Sequence, residues 1–142
     1  MAGAPAERPT DTADRITVMV VEPDVVIRMV IAEYLRECGY RVVEGVSAED
    51  VWTVLDNGMT IDVIFANVQL GGGVNGFALA RRIRAEHASI DVILTSGPDK
   101  IADKAGELCE DGPLDHPYHP QEIVRRIRLL RERRRTTDQG ST

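Results

Sequence analysis

The chain has 142 residues, 43% of them hydrophobic, which is room for one sizeable core and little else. Its formal net charge of -6 and pI near 5.1 argue against general affinity for nucleic acid or an anionic membrane surface, since both repel an acidic protein. No apolar run approaches the roughly 20 residues of a membrane span and the N-terminus lacks the blocks of a signal peptide, so a cytoplasmic protein is expected.

The charge is uneven. Between Gln121 and Arg135 seven Arg oppose Glu122 and Glu132, a net +5, so the remainder carries -11. Cys38 and Cys109 show neither a CxxC spacing nor a disulfide framework, which predicts two free thiols in a reducing compartment.

Residues 1–14 are rich in Ala, Pro, Thr and charge without apolar periodicity, the pattern of a disordered tail. Ile16 to Val21 is almost wholly apolar and reads as a strand buried on both faces, halted at Glu22-Pro23-Asp24. From Asp24 the apolar positions Val26, Ile27, Val30, Ile31, Tyr34 and Leu35 have helical spacing, and Gly39 supplies the stop. Tyr40 to Val43 gives a second strand. Ser47 then caps a helix with Glu49 and Asp50 in its first turn, ended by Asn57-Gly58.

Asp62 to Asn67 is the third strand, an apolar run whose polar last residue reaches the rim of the sheet, where ligands of open α/β sheets collect. Beyond a glycine-rich loop, Phe77, Leu79, Ala80 and Ile83 mark one face of a third helix. Ile90 to Thr95 is the fourth strand, closed by Ser96-Gly97-Pro98. Residues 99–112 are expected to hold a fourth helix, short or poorly packed because of Gly106 and its charged residues. Residues 113–115 leave room only for a very short fifth strand, and Pro120 opens a last helix. There Ile123, Val124, Ile127 and Leu130 form a narrow apolar stripe flanked by Arg125, Arg126, Arg128 and Arg131. Strands and helices alternating at this spacing imply an α/β fold: βαβ units in a doubly wound, five-stranded parallel sheet. The divisions are a tail over 1–14, the domain over 15–131, and a basic then polar tail over 132–142.

Several ordered segments carry a resemblance: Val20-Val21-Glu22, Ile27-Arg28-Met29, Ile64 to Leu70, Asn75 to Arg81, Val92 to Gly97 and His116-Pro117-Tyr118. Over about residues 15–131 the chain resembles the receiver domain of bacterial two-component response regulators, with its flavodoxin-like (βα)5 fold. The resemblance implies a pocket of two acidic residues, a phosphate-accepting aspartate, a Thr or Ser and a Lys around one Mg²⁺. Carried across, these positions fall on Glu22, Pro23, Asn67, Ser96 and His116. Glu22 keeps its carboxylate, whereas Pro23 has no ligand atom. Asp24 faces the first helix and suits its N-terminus. The amide of Asn67 cannot form the acyl phosphate that a carboxylate forms, so it is expected not to be phosphorylated. His116 is a poor replacement for a fixed ammonium.

Pro117 implies a cis peptide bond by the family's habit. Pro113 stands where the family commonly has an aromatic reporter. With so few carboxylates, Mg²⁺ binding is expected to be lost or weak, with no metal or other cofactor and no enzymatic activity. The expectation is a stand-alone, degenerate receiver in phosphorelay signalling that works through protein contacts. Its partner is a histidine kinase, another signalling protein or a second copy of itself, met through a face including Ile123, Arg125, Arg126 and Ile127. Two other readings compete. The loop over residues 71–76 precedes a helix and can hold a phosphate or nucleotide, although it matches neither GxGxxG nor a Walker motif. The Arg-rich end can contact nucleic acid, although no helix-turn-helix follows and such charges suit a helix C-terminus.

Overall fold

A computed structural model describes residues 15–71, 74–109, 124, 125, 127–129, 132 and 133. The expectations for residues 1–14, 113–115 and 116–123 lie outside them. The described elements in order are β1 (Thr17–Val21), α1 (Val25–Glu37), β2 (Arg41–Gly45), α2 (Ala48–Asp56), β3 (Val63–Asn67), α3 (Gly76–Glu86), β4 (Asp91–Thr95) and α4 (Gly97–Leu108). Residues 124, 125, 127–129, 132 and 133 are also helical.

The strands form a parallel sheet in the order β2-β1-β3-β4, a count of four among the described residues. β1 is central and buried at every position, which is why its sequence is a continuous apolar run and not an alternating one. α1 begins where Asp24 Oδ1 accepts the N–H groups of Val26 and Ile27, at 2.9 and 3.1 Å, the capping role its position in the sequence suggests. It ends at Cys38, followed by Gly39 at φ 99°, a backbone state that glycine adopts without a Cβ penalty.

Alternation along the strands divides the core into two layers. Val18, Val20, Val63 and Phe65 face α1, α4 and Ile127. Met19, Val21, Ile64 and Ala66 face the other way, onto α2 and α3. Burying one such Val, Ile or Phe side chain stabilises the fold by about 1.5–3 kcal/mol, so this two-sided pattern fixes the strand register.

Four features differ from the sequence reading. α4 is well packed: Ile101, Ala102 and Ala105 are buried on a helical stripe that also reaches Cys109. Its side chains are small, so a count of large apolar residues misses the stripe. Phe77 is 58% exposed, because the buried face of α3 runs through Gly76, Leu79, Ala80 and Ile83 and position 77 lies off it. Ile127 is wholly buried in this chain's own core and is therefore not part of an interaction face. Cys38 and Cys109 are not free thiols: they form a disulfide with Cα atoms 5.8 Å apart, brought together across 71 residues by the docking of α4 on α1.

Candidate functional site

Strand parity places the site. Glu22 follows Val18 and Val20, Asn67 follows Val63 and Phe65, and Thr95 follows Ile93, all on the side that faces α1 and α4. Three polar side chains thus meet at the C-terminal ends of adjacent strands, where the register pairs Asn67 with Thr95. Beneath them lie Ile27, Ile31, Phe65 and Ile101, an apolar floor.

Two of these groups bind each other. Asn67 Nδ2 donates to Glu22 Oε1 at 2.9 Å, and Asn67 Oδ1 accepts the Gln69 N–H at 2.8 Å. These contacts fix the amide orientation, since one neighbour is a pure acceptor and the other a donor. Glu22 Oε2 accepts the Asp24 N–H at 2.9 Å, while Asp24 itself caps α1. Glu22 is only 5% exposed, and a carboxylate buried that deeply is tolerable only with such donors around it. The Arg28 guanidinium donates to the Glu22 carbonyl at 2.7 Å and sits 3.5 Å from Glu44 Oε1, tying the end of β1 to β2. Thr95 Oγ1 donates to the Ala66 carbonyl at 3.4 Å.

The structure therefore unites Glu22 and Asn67, and it brings in Thr95 in place of Ser96. Ser96 is exposed at the N-cap of α4, where its side chain makes no capping bond. The signal that finds Thr95 is the strand pattern, because β3 and β4 both close on a polar residue at paired positions. Pro23 is exposed beside the site. His116, Pro117, Pro113, Ile123 and Arg126 lie outside the described residues, whereas Arg125 is described and exposed.

Of the glycine loop, Gly71, Val74, Asn75 and Gly76 are among the described residues. At its end the Gly76 N–H donates to the Val68 carbonyl at 2.7 Å and the Ala78 N–H to Asn75 Oδ1 at 2.8 Å. Two donors that a phosphate would need are thus already used. A Cβ on Gly76 would stand 2.6 Å from the Asn67 carbonyl oxygen and 2.8 Å from Val68 Cα, so glycine there lets α3 start hard against the end of β3. The Gly76 requirement comes from packing. Among the described residues no group of three His, Cys, Asp or Glu is placed to hold a metal ion, and no helix is long and apolar enough to cross a membrane.

The sequence profile described as the response regulator receiver domain matches residues 18–128. The chain is 30% identical over 118 residues to the transcriptional regulatory protein AruR of Pseudomonas aeruginosa, covering 80% of this chain and 48% of that protein. It is 27% identical over 116 residues to the transcriptional regulatory protein YbdJ of Bacillus subtilis, covering 81% and 50%. The chain thus spans about half the length of these curated relatives. Among solved structures it is similar in fold to the signal receiver domain of an HD domain-containing protein from Pseudomonas fluorescens Pf-5. That match has a TM-score of 0.56 and 23% identity, over 86% of this chain and 98% of the other.

Proposed function

The chain belongs to the response regulator receiver domain family, and we propose that it is an atypical member that signals by protein–protein contact, without phosphorylation of Asn67. In this reading Asn67 stands where the family carries its phosphate-accepting aspartate. One observation carries it: the Asn67 amide is built into the site by its bonds to Glu22 and to the Gln69 N–H. An amide carbon bears no anionic oxygen able to attack a phosphoryl donor. Nδ2 also supplies Glu22 with a donor that a second carboxylate cannot supply.

The residues at the site do not fit the Mg²⁺ that the family implies. Glu22 is the carboxylate facing the centre, and its two oxygens already accept from Asn67 and from the Asp24 N–H. Asp24 is turned to its helix, Pro23 has no ligand atom, and Asn67 presents nitrogen and not oxygen toward Glu22. The proposal therefore includes no resident metal or other cofactor and no catalysis. A calorimetric titration with Mg²⁺ is expected to give no binding heat; millimolar or tighter affinity contradicts this.

The partner in this reading is a histidine kinase, another signalling protein or a second copy of the chain, met in the cytoplasm. Exposed Arg125, Arg128 and Leu129 support a contact face at the C-terminal helical residues, since Ile127 holds that segment to the core. Direct nucleic-acid contact is not part of the proposal, because the net charge of -6 opposes it. Changing Arg125 and Arg128 to Glu is expected to weaken assembly measured by light scattering. Unchanged assembly counts against that face.

A further inference from the structure

α1 and α4 both start at the polar cluster and both end at one covalent link. Asp24, bonded through its N–H to Glu22, caps α1, and α4 begins two residues after Thr95. At the far ends the C-cap residues Cys38 and Cys109 are joined, and the Tyr40 hydroxyl donates to the Leu108 carbonyl beside them. Between these ends α4 offers mainly small buried side chains, Ala102 and Ala105, with Ile101 nearest the cluster. Small residues remove little apolar area from water, so the hold of α4 on α1 depends strongly on its attached end.

We propose that Cys38–Cys109 is a reversible redox modification site that sets whether the C-terminal half of α4 stays docked on α1. The inference goes beyond the reading of Asn67 and stands without it. The two cysteines are the only ones in the chain, so reduction and reoxidation have one intramolecular outcome. Cys38 is half-buried and Cys109 is 7% exposed, which directs an incoming thiolate to Cys38. A disulfide in a cytoplasmic protein, the location proposed above, is characteristically a sensing or transient one.

The reductant is a dithiol of the thioredoxin class. Its thiolate attacks Cys38 Sγ, forming a mixed disulfide and releasing Cys109 as a thiolate that takes a proton. The second thiol of the reductant then attacks its own partner sulfur and releases Cys38. Two electrons and two protons pass to the protein, and the reductant leaves as a disulfide.

The test uses the full chain, oxidised with diamide and then treated with a thioredoxin-class dithiol, with thiols counted by alkylation and mass spectrometry. The oxidised protein is expected to show no alkylated cysteine and the reduced protein two. Amide exchange over 102–108 is expected to quicken at least tenfold on reduction, with β1 and β3 unchanged, and reoxidation restores protection. The Cys38→Ser, Cys109→Ser variant is expected to exchange like the reduced protein and to ignore the dithiol. Thiols that stay free after diamide, a bond that the dithiol cannot open in the native protein, or opening that leaves α4 exchange unchanged each overturns the proposal.

Discussion

Replacing Asn67 by Asp removes the donor that Glu22 now accepts from and puts a second carboxylate 2.9 Å from the first. With an effective dielectric of about 20, two unit charges at that distance repel by about 6 kcal/mol. Side-chain movement, water entry and proton uptake relieve part of this, while the lost charge-assisted hydrogen bond is worth about 1.5–3 kcal/mol. The expected net loss for Asn67→Asp is about 2–4 kcal/mol at neutral pH, overlapping the roughly 3–5 kcal/mol seen when a buried charge loses its partner. The pH dependence has a definite sign. At such a separation both groups cannot ionise freely, so the folded variant holds a proton to higher pH than its unfolded chain does. The deficit is therefore small near pH 4, about the ordinary carboxylate value, and grows as pH rises and that proton is lost. Urea unfolding of both proteins across this range measures it, provided the slopes match. Adding Glu22→Gln to the variant exchanges amide and carboxylate and is expected to restore most of the loss. A single variant as stable as wild type at neutral pH, or a double variant whose losses simply add, refutes the Glu22–Asn67 bond as described.

Two further outcomes follow from packing and burial. Gly76→Ala gains about 1 kcal/mol of helix propensity but drives a methyl against the backbone at Asn67 and Val68, which cannot yield as a side chain does. Overpacking of that kind costs about 1–3 kcal/mol, so a net loss of up to about 2 kcal/mol in urea unfolding is expected, and a stabilised variant is evidence against the close approach. Burial raises the Tyr34 phenol above its ordinary value of 10.0. Its stabilising contribution is complete below that value and is lost as pH rises through the raised one. Wild type is therefore expected to lose more stability than Tyr34→Phe above about pH 10; parallel alkaline profiles contradict this.

Much of the fold was legible in the sequence because β1 and β3 are continuous apolar runs and α1 has helical apolar spacing behind the Asp24 cap, whereas Ser47 stands at the N-cap of α2 without a side-chain hydrogen bond. The parallel sheet follows from their alternation, and Asp24 and Asn67 stand where the pattern puts them. The misreadings have particular causes. Ser96 seemed a natural hydroxyl because it opens a loop, yet strand parity turns Thr95 and not Ser96 toward Asn67. Ile127 lies on an apolar helical stripe, and a stripe covered by its own core has the same sequence as one awaiting a partner. The α4 stripe is written in Ala, so its burial shows only once α1 lies opposite. The Cys38–Cys109 link could not be read from a 71-residue spacing, because only that same docking brings the two helix ends together.

The proposal that Asn67 takes no phosphoryl group has a direct consequence for the mass of the chain. Its most direct test is the intact mass of the wild-type chain after incubation with acetyl phosphate and Mg²⁺, followed by peptide mapping across Val63–Asn67. No added phosphate is expected, and none on Asn67→Asp either, because Pro23 and His116 are unchanged in that variant. A hydroxylamine-sensitive phosphate on the wild-type β3 peptide contradicts it.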